Sequence, residues 1–273
     1  MRNTIDDTPL LQLQGLGLSY DHPGSGGTNW ILKDLELTVR EGEFVTIMGS
    51  SGAGKSTLLN VVAQTVQPSA GQILFKGLPV GGADLPPAPG CSRQIGYVTQ
   101  DDNLLPWRTV WDNLIFPLTI VRKPNAADIE RVKQLLEQVG LTKWAQSYPH
   151  QLSGGMRKRA SLARTLVYNP PVVLMDEPFG ALDAETRAHL QADLLNLWDV
   201  ERKTILFVTH DINEAIALGG RVVVLSGTPG RIVLERDIDI PRPRDPELIF
   251  KATSFASHYD AIRACLRAGC LHD

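Results

Sequence analysis

The sequence predicts an α/β fold built on a parallel β-sheet, and three observations carry that expectation. Short runs rich in β-branched residues recur along the chain: FVTIM (44–48), IGYVT (95–99), VVLM (172–175), ILFVT (205–209) and VVVL (222–225). They are continuously apolar rather than alternating, as strands are when helices cover both faces of a sheet. Helical stretches separate them, and each of the first four runs ends against a polar cluster: GSSGAGKST, QDD, DEP and HD. Ligands of open α/β sheets bind at the carboxyl ends of the strands, so four chemical clusters at four strand ends converge on one site.

The length of 273 residues suits one large domain, or a core with an inserted subdomain and a short tail. A balance of 27 Lys and Arg against 30 Asp and Glu, with 43% hydrophobic residues, matches an ordinary globular protein and gives nucleic acid no footing as a partner. No apolar run approaches the roughly 18 residues of a membrane helix. The polar, acidic start MRNTIDDTPL lacks the regions of a secretory signal, so a cytosolic chain is expected. Cys91, Cys265 and Cys270 form no CxxC pair and read as free thiols.

From Gln100 to about Asn169 the pattern turns helical, with LPWRTVWDNLIF and DIERVKQLLEQVGL spacing apolar residues by three and four, as a helical insert would. Residues 21–29 and 77–91 are rich in Gly and Pro and predict surface loops. The tail carries a strand-like RIVLERDIDI and a PRPRDP break. An amphipathic helix follows from about Pro246, with Ile249, Phe250, Phe255, Tyr259, Ile262 and Leu266 expected to pack on their own domain.

Gly49, Ser50, Ser51, Gly52, Ala53, Gly54, Lys55 and Ser56 spell a full GxxxxGKS phosphate loop, set after a strand and before the helical TLLNVVAQ that Thr57 opens. Its glycines let backbone N–H groups curl around phosphate oxygens, and the helix N-terminus adds its positive dipole end. Lys55 neutralises β and γ oxygens in such a loop, and the Ser56 hydroxyl ligates Mg²⁺. After VVLM, Asp176 and Glu177 point in different directions at the end of a buried strand and can take different roles. Asp176 would hold Mg²⁺ through water, and Glu177 would orient or deprotonate the attacking water. These residues alone leave kinases, helicases and GTPases open.

LSGGM (152–156) narrows the choice, because here the chain resembles the ATP-binding subunits of ATP-binding cassette (ABC) proteins. Ser153 is a good N-cap, and Gly154 and Gly155 expose backbone N–H groups at the start of MRKRASLARTLV, a second anion-binding helix end. The resemblance implies that this end faces the γ-phosphate bound by the other subunit. It further implies that Tyr20 stacks on adenine, that Gln100 reaches Mg²⁺ and the attacking water, and that Asp183 of GALD contacts the dimer partner. By the same resemblance His210 contacts γ-phosphate and positions Glu177. Met156 stands where glutamine is commonest; it lacks the amide's hydrogen bonds, but Ser153, Gly154 and Gly155 keep the main donors.

The implied fold is a phosphate-loop NTPase: a RecA-like parallel core sheet with an antiparallel β subdomain, an inserted helical subdomain and a short C-terminal extension. Its expected boundaries are 8–100 and 165–230 for the nucleotide-binding core, 101–164 for the helical signature subdomain and 231–273 for the extension. QDDNLLPWRTVWDNLIFPL, MDEPFGALDAETR and LSGTPGRIVLERDIDIPRPRD resemble the importer branch for nitrate, sulfonates and taurine. That branch implies an ATP- and Mg²⁺-dependent ATPase working with a second copy of itself, two integral-membrane permease subunits and, indirectly, a solute-binding protein. It would sit on the cytoplasmic face of the inner membrane through the permease, with Trp107 near the permease's coupling helix. The competing class, a soluble ABC-type ATPase of chromosome maintenance or DNA repair, interrupts the same motifs with coiled coils or zinc modules, and this chain shows neither heptads nor metal spacing.

Overall fold

Strands β1 (Pro9–Asp21) and β2 (Thr28–Arg40) run antiparallel, with Leu13 opposite Leu37 and Tyr20 opposite Asn29. The computed structural model describes residues 9–21, 28–85 and 94–269. The chain divides into two units, Met1–Ser92 with Arg202–Asp273 and Arg93–Glu201.

In the first unit β2 is followed by β3 (Phe44–Gly49), α1 (Lys55–Val62), β4 (Ala70–Phe75) and β5 (Leu78–Gly82). β1, β2, β4 and β5 form an antiparallel sheet in the order β2-β1-β4-β5. From Leu35 to Arg40, β2 alternates buried and exposed residues, the pattern of a strand with one wet face. β3 is different, for all six of its residues are buried.

The second unit holds β6 (Ile95–Val98), α2 (Val110–Val121), α3 (Ala126–Gln138), α4 (Gly154–Leu166), β7 (Val172–Asp176) and α5 (Ala184–Glu201). β6 and β7 pair parallel, Ile95 beside Val172. The helices start where short polar side chains can cap them. Thr109 accepts the Asp112 amide at the start of α2, and Asn125 and Asp128 form a reciprocal capping box at α3.

Returning to the first unit, the chain adds β8 (Thr204–Val208), α6 (Ile212–Leu218), β9 (Arg221–Ser226), β10 (Arg231–Asp237) and α7 (Phe255–Gly269). β3 lies between β8 and β9 and is parallel to both, while β10 closes the edge antiparallel to β9. The molecule is thus an α/β protein whose parallel strands carry helices, with a helical insertion between β6 and β7.

The five apolar runs fall on β3, β6, β7, β8 and β9. The predicted loop at 77–91 contains a strand instead: β5 pairs with β4 through Leu78 and Phe75, so the Gly and Pro there shape an edge strand. Residues 22–27 of the other expected loop, residues 86–91, Cys91 and Cys270 lie outside the described residues, while Cys265 is a half-buried free thiol. The helix expected from Pro246 begins at Phe255, after a 3-10 turn at Ile249–Lys251 that buries Ile249 and leaves Phe250 exposed. The apolar periodicity therefore runs across two elements. Phe255, Tyr259, Ile262 and Leu266 then pack α7 against a cluster that includes Met48, Ile216 and Val224.

PRPRDP does more than break the chain. The Arg244 guanidinium donates to the carbonyls of Ile216 (2.8 Å), Gly219, Ile238 and Ile240, and Arg242 donates to Leu218. These are the orphan carbonyls at the C-terminal end of α6 and in the segment after β10, so one side chain closes both. Arg244→Met should therefore lower the unfolding free energy by about 2 to 4 kcal/mol, the cost of several buried acceptors losing a charged donor. Urea unfolding would show it as a lower midpoint at unchanged slope, with Arg244→Lys, which reaches fewer carbonyls, in between.

Candidate functional site

In the first unit the site grows out of β3. Gly49 ends that strand where a Cβ would lie 2.4 Å from the Leu225 carbonyl oxygen of β9, so no other residue fits without moving the strand. Gly52 and Gly54 both adopt the left-handed conformation, at φ 84° and 85°. Gly54 is the N-cap of α1, so the cap offers no side-chain acceptor, and the first turn contains no acidic residue. The backbone N–H groups and dipole of α1 are thus directed at whatever anion the loop holds. Lys55 is 9% exposed, and its ammonium donates to the carbonyls of Gly49 and Ser50, both at 2.9 Å. Ser51, Gly52 and Ser56 are exposed, Ser50, Gly54 and Thr57 half-buried and Ala53 buried.

His210 follows β8 in a turn fixed on both sides. Thr209, itself buried, donates its amide to Ile47 (3.1 Å) and its hydroxyl to Glu214, while Asp211 caps α6 by accepting the Asn213 and Glu214 amides. His210 itself is exposed. Tyr20, at the end of β1, has an exposed ring.

The second unit carries the carboxylates and the signature. Asp176 ends β7 half-buried; beside it Tyr97 is pushed up to about 12, by burial first and by the Asp176 charge second. Glu177 adopts φ 43°, a conformation that costs a non-glycine residue roughly 1 kcal/mol or more. A turn in which Gly180 donates its amide to Glu177 O (3.1 Å) holds it there. Around Gly180 two predicted residues meet: a Cβ on that glycine would lie 3.6 Å from Gln100 Nε2 and 3.7 Å from Glu177 Oε2. The carboxamide and the carboxylate thus reach one small volume.

Ser153 is the N-cap of α4, its Oγ accepting the Met156 amide at 3.3 Å, and Gly154 and Gly155 begin the helix. A Cβ on Gly155 would stand 2.8 Å from the Thr186 methyl, so this glycine admits a close neighbour. Met156 is half-buried. Asp183 is exposed and accepts the Thr186 amide (2.9 Å), and that bond holds its carboxyl below the usual range. Sequence reasoning missed the three basic side chains of α4, Arg157, Lys158 and Arg164, that reach the segment holding Gln100. A basic run on a helix ordinarily reads as a solvated face.

The family model described as ABC transporter matches residues 32–180. An uncharacterised ABC transporter ATP-binding protein of Methanocaldococcus jannaschii is 48% identical over 214 residues, 78% of this chain and 77% of that protein. An aliphatic sulfonates import ATP-binding protein of Xanthomonas axonopodis pv. citri is 44% identical over 220 residues, 80% of this chain and 84% of that protein. Among solved structures, a dimeric ATP-binding cassette in a post-hydrolysis state bound to ADP and Pi superposes with a TM-score of 0.71 at 33% identity, over 84% of this chain and 99% of that one. A cassette of Clostridium perfringens, part of an ABC transporter complex, gives 0.74 at 26% identity, over 97% and 99%.

The loop geometry separates its glycines. Gly49→Ala places a methyl against a β9 carbonyl and should both weaken nucleotide binding and lower the melting temperature. Gly52→Ala, whose Cβ would meet nothing within 4 Å, should cost only the left-handed penalty of about 1 kcal/mol. Thermal unfolding of the two variants side by side checks the order.

Proposed function

We propose, for a chain that belongs to the ABC transporter family and is an ATP-binding ATPase of a transporter, that it dimerises on ATP and powers a separate permease importing a small nitrate-, sulfonate- or taurine-like anion. The observation that carries the reading is that α1, whose N-cap is Gly54, and α4, which opens with Gly154 and Gly155, have no carboxylate in the first turn. One chain thus offers two helix ends for anions. In the proposed dimer, α1 of one copy and α4 of the other hold the same ATP. The sulfonate import protein at 44% identity supports the solute class.

Each residue then has a task. Tyr20 supports adenine, and Gly49 through Thr57 cradle the phosphates, with Lys55 neutralising their charge. Ser56, Gln100 and, through water, Asp176 offer hard oxygen ligands, a donor set that suits Mg²⁺, which supplies charge neutralisation when bound. Glu177 takes the proton of the attacking water, Gln100 and His210 orient that water and the γ-phosphate, and Ser153, Gly154, Gly155 and Met156 close the site from the other copy. Asp183 lies on the loop that meets the partner. The core would comprise 8–100 and 165–230, the signature subdomain 101–164 and the extension 231–273.

No helix among the described residues is long and apolar enough to cross a membrane. The proposed attachment to the cytoplasmic face of the inner membrane is through two permease subunits, to which a solute-binding protein delivers the solute. Trp107, 71% exposed, is the proposed permease contact. ATPase stimulation in the assembled complex by one solute and not others would identify the cargo.

Glu177→Gln should bind ATP normally and hydrolyse it about 10² to 10⁴ times more slowly, since the amide keeps the shape but is a poor base. Near-normal turnover would remove Glu177 from this role. The shared site is tested by mixing Lys55→Ala and Ser153→Arg chains, each nearly inactive alone. In a mixed dimer one site collects both lesions and the other is intact, so random pairing should restore roughly a quarter of wild-type sites. Wild-type chain mixed with Lys55→Ala is the control for dimers that need both sites; if that control is active and the two mutants pair without recovery, the sites are not shared.

A further inference from the structure

Gln100 belongs to a segment, residues 99–103, that has no regular secondary structure and yet is held at nearly every position. Within it, the Thr99 hydroxyl donates to Asp101 O (2.9 Å) and the Asn103 side-chain Nδ2 donates to Thr99 Oγ1 (2.6 Å), with Asn103 in the left-handed region at φ 50°. From outside it is gripped by α4. Arg157 Nε donates to Asp102 Oδ2 (3.0 Å), and Arg164 donates to the carbonyls of Asn103 (2.6 Å) and Asp102 (3.2 Å).

Between these two, the Lys158 ammonium donates to Thr99 O (2.6 Å) and to Gln100 O (2.9 Å). Lys158 is 6% exposed, and burial pushes its ammonium down to about 8, with Asp102 and then Asp101 pulling it back up. Burying an ammonium costs several kcal/mol unless its donors are met. Here two of its three donors are met, by the carbonyl of Gln100 and that of its neighbour. An apolar residue would pack helix α4 at no such cost, so packing alone does not account for a lysine at this position.

We infer that Lys158 is a positioning residue for hydrolysis: by holding the Thr99 and Gln100 carbonyls it fixes the turn that sends the Gln100 carboxamide toward Glu177 at Gly180, and it ties that turn to the helix that begins at Ser153. The inference rests on the roles proposed above for Gln100 and Glu177. Its consequence is mechanical. Any shift of α4 when its N-terminal end meets a phosphate is passed through the two Lys158 bonds, and those of Arg157 and Arg164, to the residue that orients the attacking water.

Steady-state hydrolysis by the full-length chain tests this with a double-mutant cycle. Lys158→Met keeps the length and removes the donors; it should lower kcat about tenfold while KM for ATP stays within about twofold. Lys158→Gln, which retains two N–H donors, should recover most of the loss. In a Gln100→Ala background, Lys158→Met should change kcat by less than about twofold, because the group it positions is gone. Equal losses in both backgrounds, or wild-type kcat for Lys158→Met, overturn the inference and leave the roles of Gln100 and Glu177 intact. Wild-type turnover by Gln100→Ala itself would instead overturn the reading of Gln100 and this inference with it. Should Lys158→Met fail to fold, Arg164→Met cuts the same segment at Asn103 and Asp102, and the same cycle decides.

Discussion

A polyphosphate brings several negative charges to one turn of backbone, and the meeting of that charge with N–H groups is the constraint on which the rest of this chain depends. Inward-facing N–H groups require the left-handed conformations that Gly52 and Gly54 adopt. The turn must also be held still, since a loop that reorganised on binding would lose affinity to its own ordering. Stillness comes from β3, buried along its whole length and paired on both sides. Gly49 is the point where the two demands meet, because there the strand lies too close to Leu225 for any side chain.

The other strand ends solve a related problem with caps. At β8, Thr209 and Asp211 satisfy the amides around the turn, and the residue between them, His210, is left exposed. At β7 the Gly180 amide closes a turn on Glu177 and keeps that residue in its costly conformation. Short polar side chains and glycines satisfy the backbone of both turns locally, through the Thr209 hydroxyl, the Asp211 carboxylate and the Gly180 amide. The same logic explains how a sheet of apolar strands can end in chemistry without loosening its core.

How much of this was legible follows from which signals are local. The buried strands were, because continuous β-branched runs such as VVVL have few other uses, and so was the phosphate loop, whose glycines and lysine are adjacent in sequence. The two long strands β1 and β2 left no comparable mark, since a half-exposed strand mixes polar and apolar residues, and β5 hid in a stretch of Gly and Pro. The fold class came through the strands and the resemblance together. What stayed hidden were contacts made across long sequence separations by residues with ordinary local meanings. Arg242 and Arg244 read as part of a break and instead bind carbonyls more than twenty residues away; Lys158 reads as a solvated helix residue and instead binds a segment almost sixty residues away. A side chain's hydrogen-bond partners are not encoded in its own neighbourhood, so periodicity cannot find them.

The helix termini show one more regularity, and it bears on where negative charge is expected from outside. Helices α2, α3, α5 and α6 carry Asp112, Asp128, Glu185 and Glu214 in their first turns, each complementing the positive end of its own dipole. Helix α7 has none, but Asp239 hydrogen-bonds Ser254 and His258 at its start and supplies the carboxylate from another segment. Helix α1, whose N-cap is Gly54, and helix α4, which opens with Gly154 and Gly155, also have no acid in the first turn. An uncomplemented dipole end forgoes roughly 0.3 to 1 kcal/mol that a single Asp or Glu would supply, and the chain places such a residue in the first turn of α2, α3, α5 and α6 and beside the start of α7. The two exceptions are the helix after the phosphate loop and the helix of LSGGM, and at both ends the proposed role as an anion site accounts for the omission, because a carboxylate there would repel the phosphate.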